Sequence, residues 1–470
     1  MESESVSATS AATVAATVAA TVMATVMALI LALSAPSHAH PELPAGPITL
    51  PEAVSRALDH NPDVVAAQMR LEEARARIGE ARGTFFPQLR LSSSGGLSNN
   101  FTSLLGSGGT GADAVDPASL LGTTNYFAST RLSLSQTVWD WGRAGTTATI
   151  ADLDEVVAAE QLRQARQDTS LQVKTAYFNL VALRATTALR ARAAAQASAN
   201  LAAAESRARR GVETELAVLQ ARTRTLSLEA DARKAARDER KAESSLALAL
   251  GSEPQSSLAV IPFEGQGPET SGLEDAKQAA LANRPDLRIA GAQARQETQR
   301  LESERKSQLP QLVLAASGGL AAALSSAGRP FTSPDFSVLG AVSWPFFDGF
   351  RAQNAQRRGE LAVKRMAASR DRLVDKAMAE VESERDALLD AADRQRLAEE
   401  QQQVAARSLK VVQSRAQQGL ATQLDVLDAQ IAVLEAEQRA NQALYDRTIA
   451  QARLSKAMGE DPPAAGIEDQ

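Results

Sequence analysis

SRARRGVETELAVLQA, residues 206–221, is written a second time as SRAQQGLATQLDVLDA, residues 414–429, at an offset of 208. The same offset aligns Val173 with Val381, Leu180 with Leu388, Gly211 with Gly419 and Gly251 with Gly459. A second register, at an offset of 223, aligns Pro62-Asp63 with Pro285-Asp286, Pro87-Gln88-Leu89 with Pro310-Gln311-Leu312, and Gly95-Gly96-Leu97 with Gly318-Gly319-Leu320. The two registers differ by 15 residues, which places an insertion between Leu97 and Leu132. LLGSGGTGADAVDPASLLGTT in that gap has the Gly, Ser and Asp content of an extended loop. A period of this size describes two copies of a domain-sized unit, not a solenoid.

Within the quoted stretch a glycine separates two helical runs. Leu424, Leu427, Ile431 and Leu434 step by three, four and three, with Leu216, Leu219, Thr223 and Leu226 as repeat partners, which is the spacing of a coiled-coil seam. Gly211 and Gly419 suit the left-handed position that ends a helix, so 209–214 and 417–422 read as helix-hairpin tips. Upstream, Trp141 to Gly211 and Gly349 to Gly419 contain no proline, and each predicts a helix roughly 100 Å long at 1.5 Å per residue. Asp140 and Asp348 stand where an N-cap acceptor is wanted.

The return legs, Val212 to Leu250 and Leu420 to Met458, are too short to pair with these helices over their whole length. Leu273 to Ser307 and Pro51 to Arg82 supply the missing length, so each return leg is two helices end to end with an irregular belt between them. Asn61 offers a cap to the helix starting at Pro62; Arg284, at the equivalent place, is a poorer one.

Of the 17 aromatic residues, 13 fall in 84–142 or 309–351, where charges thin out and the hydrophobic period changes from helical to two. Leu132, Leu134 and Val138 alternate with Arg131, Ser133, Ser135 and Thr137, so each repeat holds a pair of strands. A soluble hairpin packed on helices gives this alternation, and so does a transmembrane β-strand with aromatics near its ends. Helices too long for a globular core to cover favour the membrane, and four strands cannot close a barrel, so a membrane sheet requires an oligomer.

Met23 to Ala39 has an apolar core followed by Ser37-His38-Ala39, the pattern of a secretory signal cleaved after Ala39; the alternative is an N-terminal membrane anchor. The n-region carries Glu2 and Glu4 and no basic residue, a departure from the usual signal. Net charge is −6, so the basic footprint of a nucleic-acid binder is absent. There is no cysteine and there are three histidines, His38, His40 and His60, which removes thiolate chemistry and leaves a metal site or catalytic triad short of ligands. No phosphate-binding, dinucleotide-binding, serine-elbow or zinc-protease motif occurs. No enzyme activity, cofactor or metal is expected.

From about Thr49 to Gly459 the layout resembles the outer membrane efflux protein family, the TolC-like channels. The features that carry the resemblance are the two-fold repeat, the strand-to-helix motifs VWDWGRA (Val138 to Ala144) and PFFDGFRA (Pro345 to Ala352), and the tips RRGVETELAVLQA and QQGLATQLDVLDA. Trp139, Asp140 and Arg143 in the first motif answer Phe347, Asp348 and Arg351 in the second.

The resemblance implies a mainly α fold with a β-barrel: two tandem repeats, each a β-hairpin plus long coiled-coil helices, in a homotrimer sharing one 12-stranded barrel and an α-helical periplasmic tunnel. The expected organisation is a signal peptide at 1–39, a first repeat at 40–270 (strands about 84–97 and 125–138), a second at 271–459 (strands about 309–320 and 337–346), and a flexible tail at 460–470. It implies an address in the outer membrane of a Gram-negative cell, among outer-membrane lipid, with a periplasmic adaptor (membrane fusion) protein and an inner-membrane transporter as partners, and no nucleic acid.

Gly211, Val212 and Thr214, with Gly419, Leu420 and Thr422, match the adaptor-contacting tips, and Asp425 and Asp428 match acidic positions that ring the closed tunnel mouth. Two aspartates three apart are also what an ordinary solvated helix face carries. Ala217 stands opposite Asp425 in the first repeat, and Ala416 and Ala421 replace the bulky and basic residues that latch the tip in relatives. Two functions follow: a passive export conduit of a tripartite efflux or type I secretion system, or a coiled-coil structural or adhesion protein of the envelope with no pore.

Overall fold

The computed structural model describes residues 47–98, 125–252, 259–261, 272–325, 331–418 and 420–462. The expected leader, the insertion between the first two strands, and the tail beyond Pro462 lie outside the described residues.

The repeat is written into the element lengths. Helices α1 (Leu50–His60) and α2 (Pro62–Gly83) precede strands β1 (Gln88–Ser98) and β2 (Asn125–Trp139), then α3 (Arg143–Arg209) and α4 (Glu215–Ala249). The second copy gives α5 (Leu273–Asn283), α6 (Pro285–Lys306), β3 (Gln311–Ser325), β4 (Phe331–Ser343), α7 (Arg351–Gln417) and α8 (Gln423–Ala457). The long helices α3 and α7 have 67 residues each and the return helices α4 and α8 have 35 each. The pairs α1/α5 and α2/α6 have 11 and 22 residues.

The copies interleave. Helix α3 packs on α4 and α2 of its own repeat and on α6 and α8 of the other, while α7 packs on α8, α6 and α5. Buried alanines recur every seven residues along the seams: Ala67, Ala74 and Ala81; Ala235, Ala242 and Ala249; Ala436, Ala443, Ala450 and Ala457. A small residue at each heptad position lets long helices lie close over many turns, and the seven-residue period keeps the seam facing its partner. Larger side chains such as Leu180, Val173 and Val381 fill the remaining gaps, each contributing about 2 kcal/mol by burial.

The four strands form one antiparallel sheet in chain order, β1-β2-β3-β4. They span 11, 15, 15 and 13 residues, each long enough for a tilted membrane crossing, which takes about 9–11. Register puts Leu89, Leu134, Ala316 and Val338 in one row and Leu91, Leu132, Gly318 and Phe336 in the next, so one face is apolar. The opposite face is mostly small and polar, with Ser94 and Ser129 hydroxyls 2.9 Å apart and those of Ser317 and Ser337 3.0 Å apart. On the apolar face Ser93 and Thr130 satisfy each other at 3.1 Å, which is how β1 tolerates a hydroxyl there.

The fourth strand starts at Phe331 and ends at Ser343, earlier than the expected 337–346. Pro334 and Asp335, which precede the expected strand, lie inside it, paired with Leu320 and Gly319. No helix among the described residues is long and apolar enough to cross a membrane.

Midway down the helices the chain makes two matched junctions. Gly251 (φ 73°) ends the first return leg against His60-Asn61, and Gly459 (φ 77°) ends the second against Asn283-Arg284. Asn61 caps α2 by accepting from the Asp63 N–H at 2.9 Å and donates through Nδ2 to the Ala249 carbonyl at 2.9 Å. Arg284 makes no side-chain cap, yet donates through Nη1 to the Ala457 carbonyl at 3.2 Å, doing the second half of the work of Asn61.

Beside the first junction, Ile48 and Val260 form a parallel bridge, and the buried Tyr177 hydroxyl reaches the carbonyls of Ile48 (2.9 Å) and Ile261 (2.6 Å). Its neighbour Phe178 stacks on Tyr445 with ring centroids 5.9 Å apart. Tyr177→Phe removes that shared donor from a site without exposure and is expected to cost about 1–2 kcal/mol, with faster hydrogen exchange confined to the belt around 48 and 260. Unchanged belt protection would sink this assignment.

Candidate functional site

Three regions hold the residues singled out by sequence: the strand-to-helix corners, the hairpin tips, and the first two turns of α8.

At the first corner Trp141 (φ 59°) and Gly142 (φ 77°) are consecutive left-handed residues; at the second the order is exchanged, Gly349 (φ 67°) and then Phe350 (φ 65°). A bulky residue in this region costs about 1 kcal/mol, so something must hold it. Asp140 does so in the first corner, accepting from the N–H groups of Gly142 (3.0 Å), Arg143 (3.2 Å) and Ala144 (2.7 Å). Asp348 accepts from Arg351 (3.1 Å) and Ala352 (2.8 Å). The aspartates therefore cap the helices as expected, but from two residues before the cap position, because the left-handed pair folds the helix start back over them.

Rings close the corners. Trp139 and Trp141 meet edge to face at 5.8 Å, as do Phe347 and Phe350. Trp141 Nε1 donates to the Pro310 carbonyl at 2.8 Å and Trp344 Nε1 to that of Gln308 at 3.1 Å. About half or more of each of these residues remains exposed at or just beyond the strand ends, the arrangement of an interfacial aromatic girdle.

At the first tip Gly211 (φ 72°) reverses the chain, and the Val212 N–H donates to the Arg207 carbonyl at 3.0 Å. Thr214 caps α4 by accepting from the Ala217 N–H at 3.3 Å. At the second tip Gly419 lies outside the described residues, while the Leu420 N–H donates to the Arg415 carbonyl at 2.8 Å. Val212 and Leu420 are 75% and 69% exposed, so each tip ends in an uncovered apolar side chain.

Asp425 has a local task that its neighbours explain. Thr422 accepts from the Asp425 N–H at 3.2 Å, and Asp425 Oδ2 accepts from the Thr422 hydroxyl and N–H, each at 2.7 Å, a reciprocal capping box. The Thr422 hydroxyl, then its N–H, hold the carboxyl below its ordinary range. This bond is kept above that range and lost as pH falls through the lowered pKa. The signal was in the sequence as Thr422-x-x-Asp425, and Ala217 explains why the first tip has a cap without the box. Asp428 lies 3.8 Å from Arg224 of α4, a link between the two repeats that sequence reading missed because it depends on how α4 and α8 are placed.

The chain matches the model of the outer membrane efflux protein family over residues 53–252 and 276–460, one span in each repeat. It is 25% identical over 423 residues to the pyoverdine export outer membrane protein OpmQ of Pseudomonas putida, covering 87% of this chain and 85% of that protein. Against its Pseudomonas aeruginosa counterpart the figures are 27% over 417 residues, with the same coverages. Among solved structures, Vibrio cholerae VceC superposes with a TM-score of 0.69 at 21% identity (88% of this chain, 96% of that one). The Campylobacter jejuni CmeC channel gives 0.73 at 17% (93% and 95%).

A four-stranded sheet with one apolar and one polar face, joined to two repeats of long helical hairpins, marks an outer-membrane channel of TolC-like fold. The chain belongs to the outer membrane efflux protein family, which places it in the outer membrane and sets aside the reading without a pore.

Proposed function

We propose that three copies of this chain close a 12-stranded barrel on a helical tunnel, forming the passive outer-membrane exit of a tripartite export system. The observation that carries this is the sheet: its apolar face is exposed along Leu89, Leu91, Phe336, Val338 and Val342, and β1 and β4 each have an unpaired edge. A bilayer covers the face, and pairing β4 of one chain with β1 of the next removes every edge. The helices give a second support, because α7 leaves Leu397, Val404 and Val411 exposed at seven-residue spacing, as α4 leaves Leu219 and Leu226. Stripes of this kind suit helices of adjacent copies.

In this reading the tips meet the periplasmic adaptor through Val212 and Leu420, with Gly211, Thr214, Gly419 and Thr422 shaping the turns. Asp425 and Asp428 ring the tunnel mouth, and docking of the adaptor and inner-membrane transporter opens it. Pyoverdine export names two relatives; the outward direction of transport is carried over here and the cargo is not.

The test is planar-bilayer conductance of the purified oligomer. Asp425→Asn keeps an acceptor for the Thr422 N–H while removing charge, and Asp428→Asn removes charge and frees Arg224. Each is expected to reduce cation preference roughly two- to five-fold, the scale set by a ring of three charges in a narrow mouth. Conducting channels with unaltered selectivity would remove both residues from the mouth.

A further inference from the structure

The polar face of the sheet carries one feature that neither helix tips nor aromatic corners account for. Arg131 of β2 and Asp335 of β4 form an ion pair at 2.9 Å that spans the intervening strand β3. Register places Gly319 directly between them. A Cβ at Gly319 would lie 2.7 Å from the Thr130 carbonyl oxygen, 3.1 Å from Asp335 Oδ1 and 3.2 Å from Arg131 Cα, so the pair crosses where β3 has given up its side chain. Both partners are half exposed, and such a pair adds at most about 1 kcal/mol, too little for stability to be its purpose. The duplication did not produce it: the positions 208 residues away are Leu339 and Phe127.

One pleat period away, about 7 Å along the strand, Arg90 stands on the same face in a row completed by Ser133, Ser317 and Ser337. It has no ion-pair partner among the described residues. Charged side chains described on this face are thus Arg90, Arg131 and Asp335, leaving one uncompensated positive charge per chain.

We propose that the barrel lumen holds an anion-selecting collar, in which Arg90 of each chain supplies the charge and Asp335 limits its strength by neutralising Arg131. This rests on the trimeric barrel reading, which turns the polar face inward and gathers three copies of each residue at one height. A low-dielectric wall focuses such a ring on passing ions, so the exit favours anionic solutes although the periplasmic mouth is acidic.

The experiment is the chloride-over-potassium permeability ratio of full-length channels in planar bilayers under a KCl gradient. Asp335→Asn, which releases Arg131, is expected to raise the ratio roughly two-fold or more, and Arg90→Gln to lower it comparably. The double variant Arg131→Gln/Asp335→Asn keeps the net charge and should stay near the wild-type ratio. The differences should shrink in molar salt, where screening acts over about 3 Å. Conducting channels whose ratios do not differ, or differ with opposite sign, overturn the collar alone. Folded protein that stays soluble without detergent and never conducts overturns the barrel reading, and the collar with it.

Discussion

Gly459→Ala is expected to destabilise the channel by about 3–4 kcal/mol, and Gly251→Ala by a similar amount, while Gly211→Ala costs only about 1 kcal/mol. All three glycines are left-handed, at φ 77°, 73° and 72°. The conformational penalty of adding a Cβ is therefore common to the three. Surroundings set them apart. A Cβ at Gly459 would lie 2.7 Å from both Arg284 N and Asn283 C and 2.9 Å from Arg284 Cα; at Gly251 it would lie 2.6 Å from the His60 carbonyl oxygen. These are backbone atoms at a helix break, which no rotamer change can move aside. At Gly211 nothing lies within 4 Å. Relief at the junctions requires the return helix to withdraw from the break it seals, loosening α8 from α5 or α4 from α1. The measurement is the thermal midpoint of the detergent-solubilised oligomer for the three variants in parallel. Equal losses at all three positions would mean that the junctions are not close-packed.

What the sequence made legible follows from the range of each interaction. The helices, tips and strands rest on local periodicity and on a duplication that states each element twice, which is why Leu424, Leu427 and Ile431 sufficed to find a seam. Asn61 and Arg284 were distinguishable as caps because capping spans two or three residues. Their second role was hidden, because Ala249 is 188 residues from Asn61 and Ala457 is 173 from Arg284. Gly319 fell inside the expected strand, but its reason stayed hidden, since a glycine within a strand is explained only when the flanking strands are known, here Arg131 on one side and Asp335 on the other. The start of β4 at Phe331 was missed for the same reason, because whether a chain containing Pro334 is a strand depends on how it is paired. Asp425 is the converse case, in which resemblance suggested the mouth while the nearby Thr422 already specified a capping box.

Arg284→Ala is expected to cost about 2–4 kcal/mol at neutral pH, because it leaves two carboxylates and a helix-terminal carbonyl without their common donor. The guanidinium binds Asp286 through two bonds (3.0 and 2.8 Å), Glu380 at 2.9 Å and the Ala457 carbonyl at 3.2 Å, with its side chain only 11% exposed. It thereby ties the start of α6 to α7 and to the end of α8, where a cation also suits the helix dipole. Burial pushes the Asp286 carboxyl up, but the hydrogen bonds and charge of Arg284 pull it further down, so it ends below its ordinary range. A lowered folded-state pKa means stability that is present above about pH 4 and lost as pH falls through the folded value. Without Arg284 burial is opposed only by backbone N–H groups, chiefly that of Leu287 at 2.9 Å, so that acid-side loss shrinks and the gap between variant and wild type should be widest at neutral pH and narrow in acid. Arg284→Asn separates the parts. It copies Asn61, which serves the Ala249 carbonyl without any carboxylate partner, and is expected to restore the bond to Ala457 while leaving Asp286 and Glu380 uncompensated. Thermal midpoints against pH should therefore place Arg284→Asn between wild type and alanine, with the pH dependence of the alanine variant. If Arg284→Asn matched wild type at every pH, the ion pairs would be incidental, and the second junction would be held, like the first, by its carbonyl bond and its glycine alone.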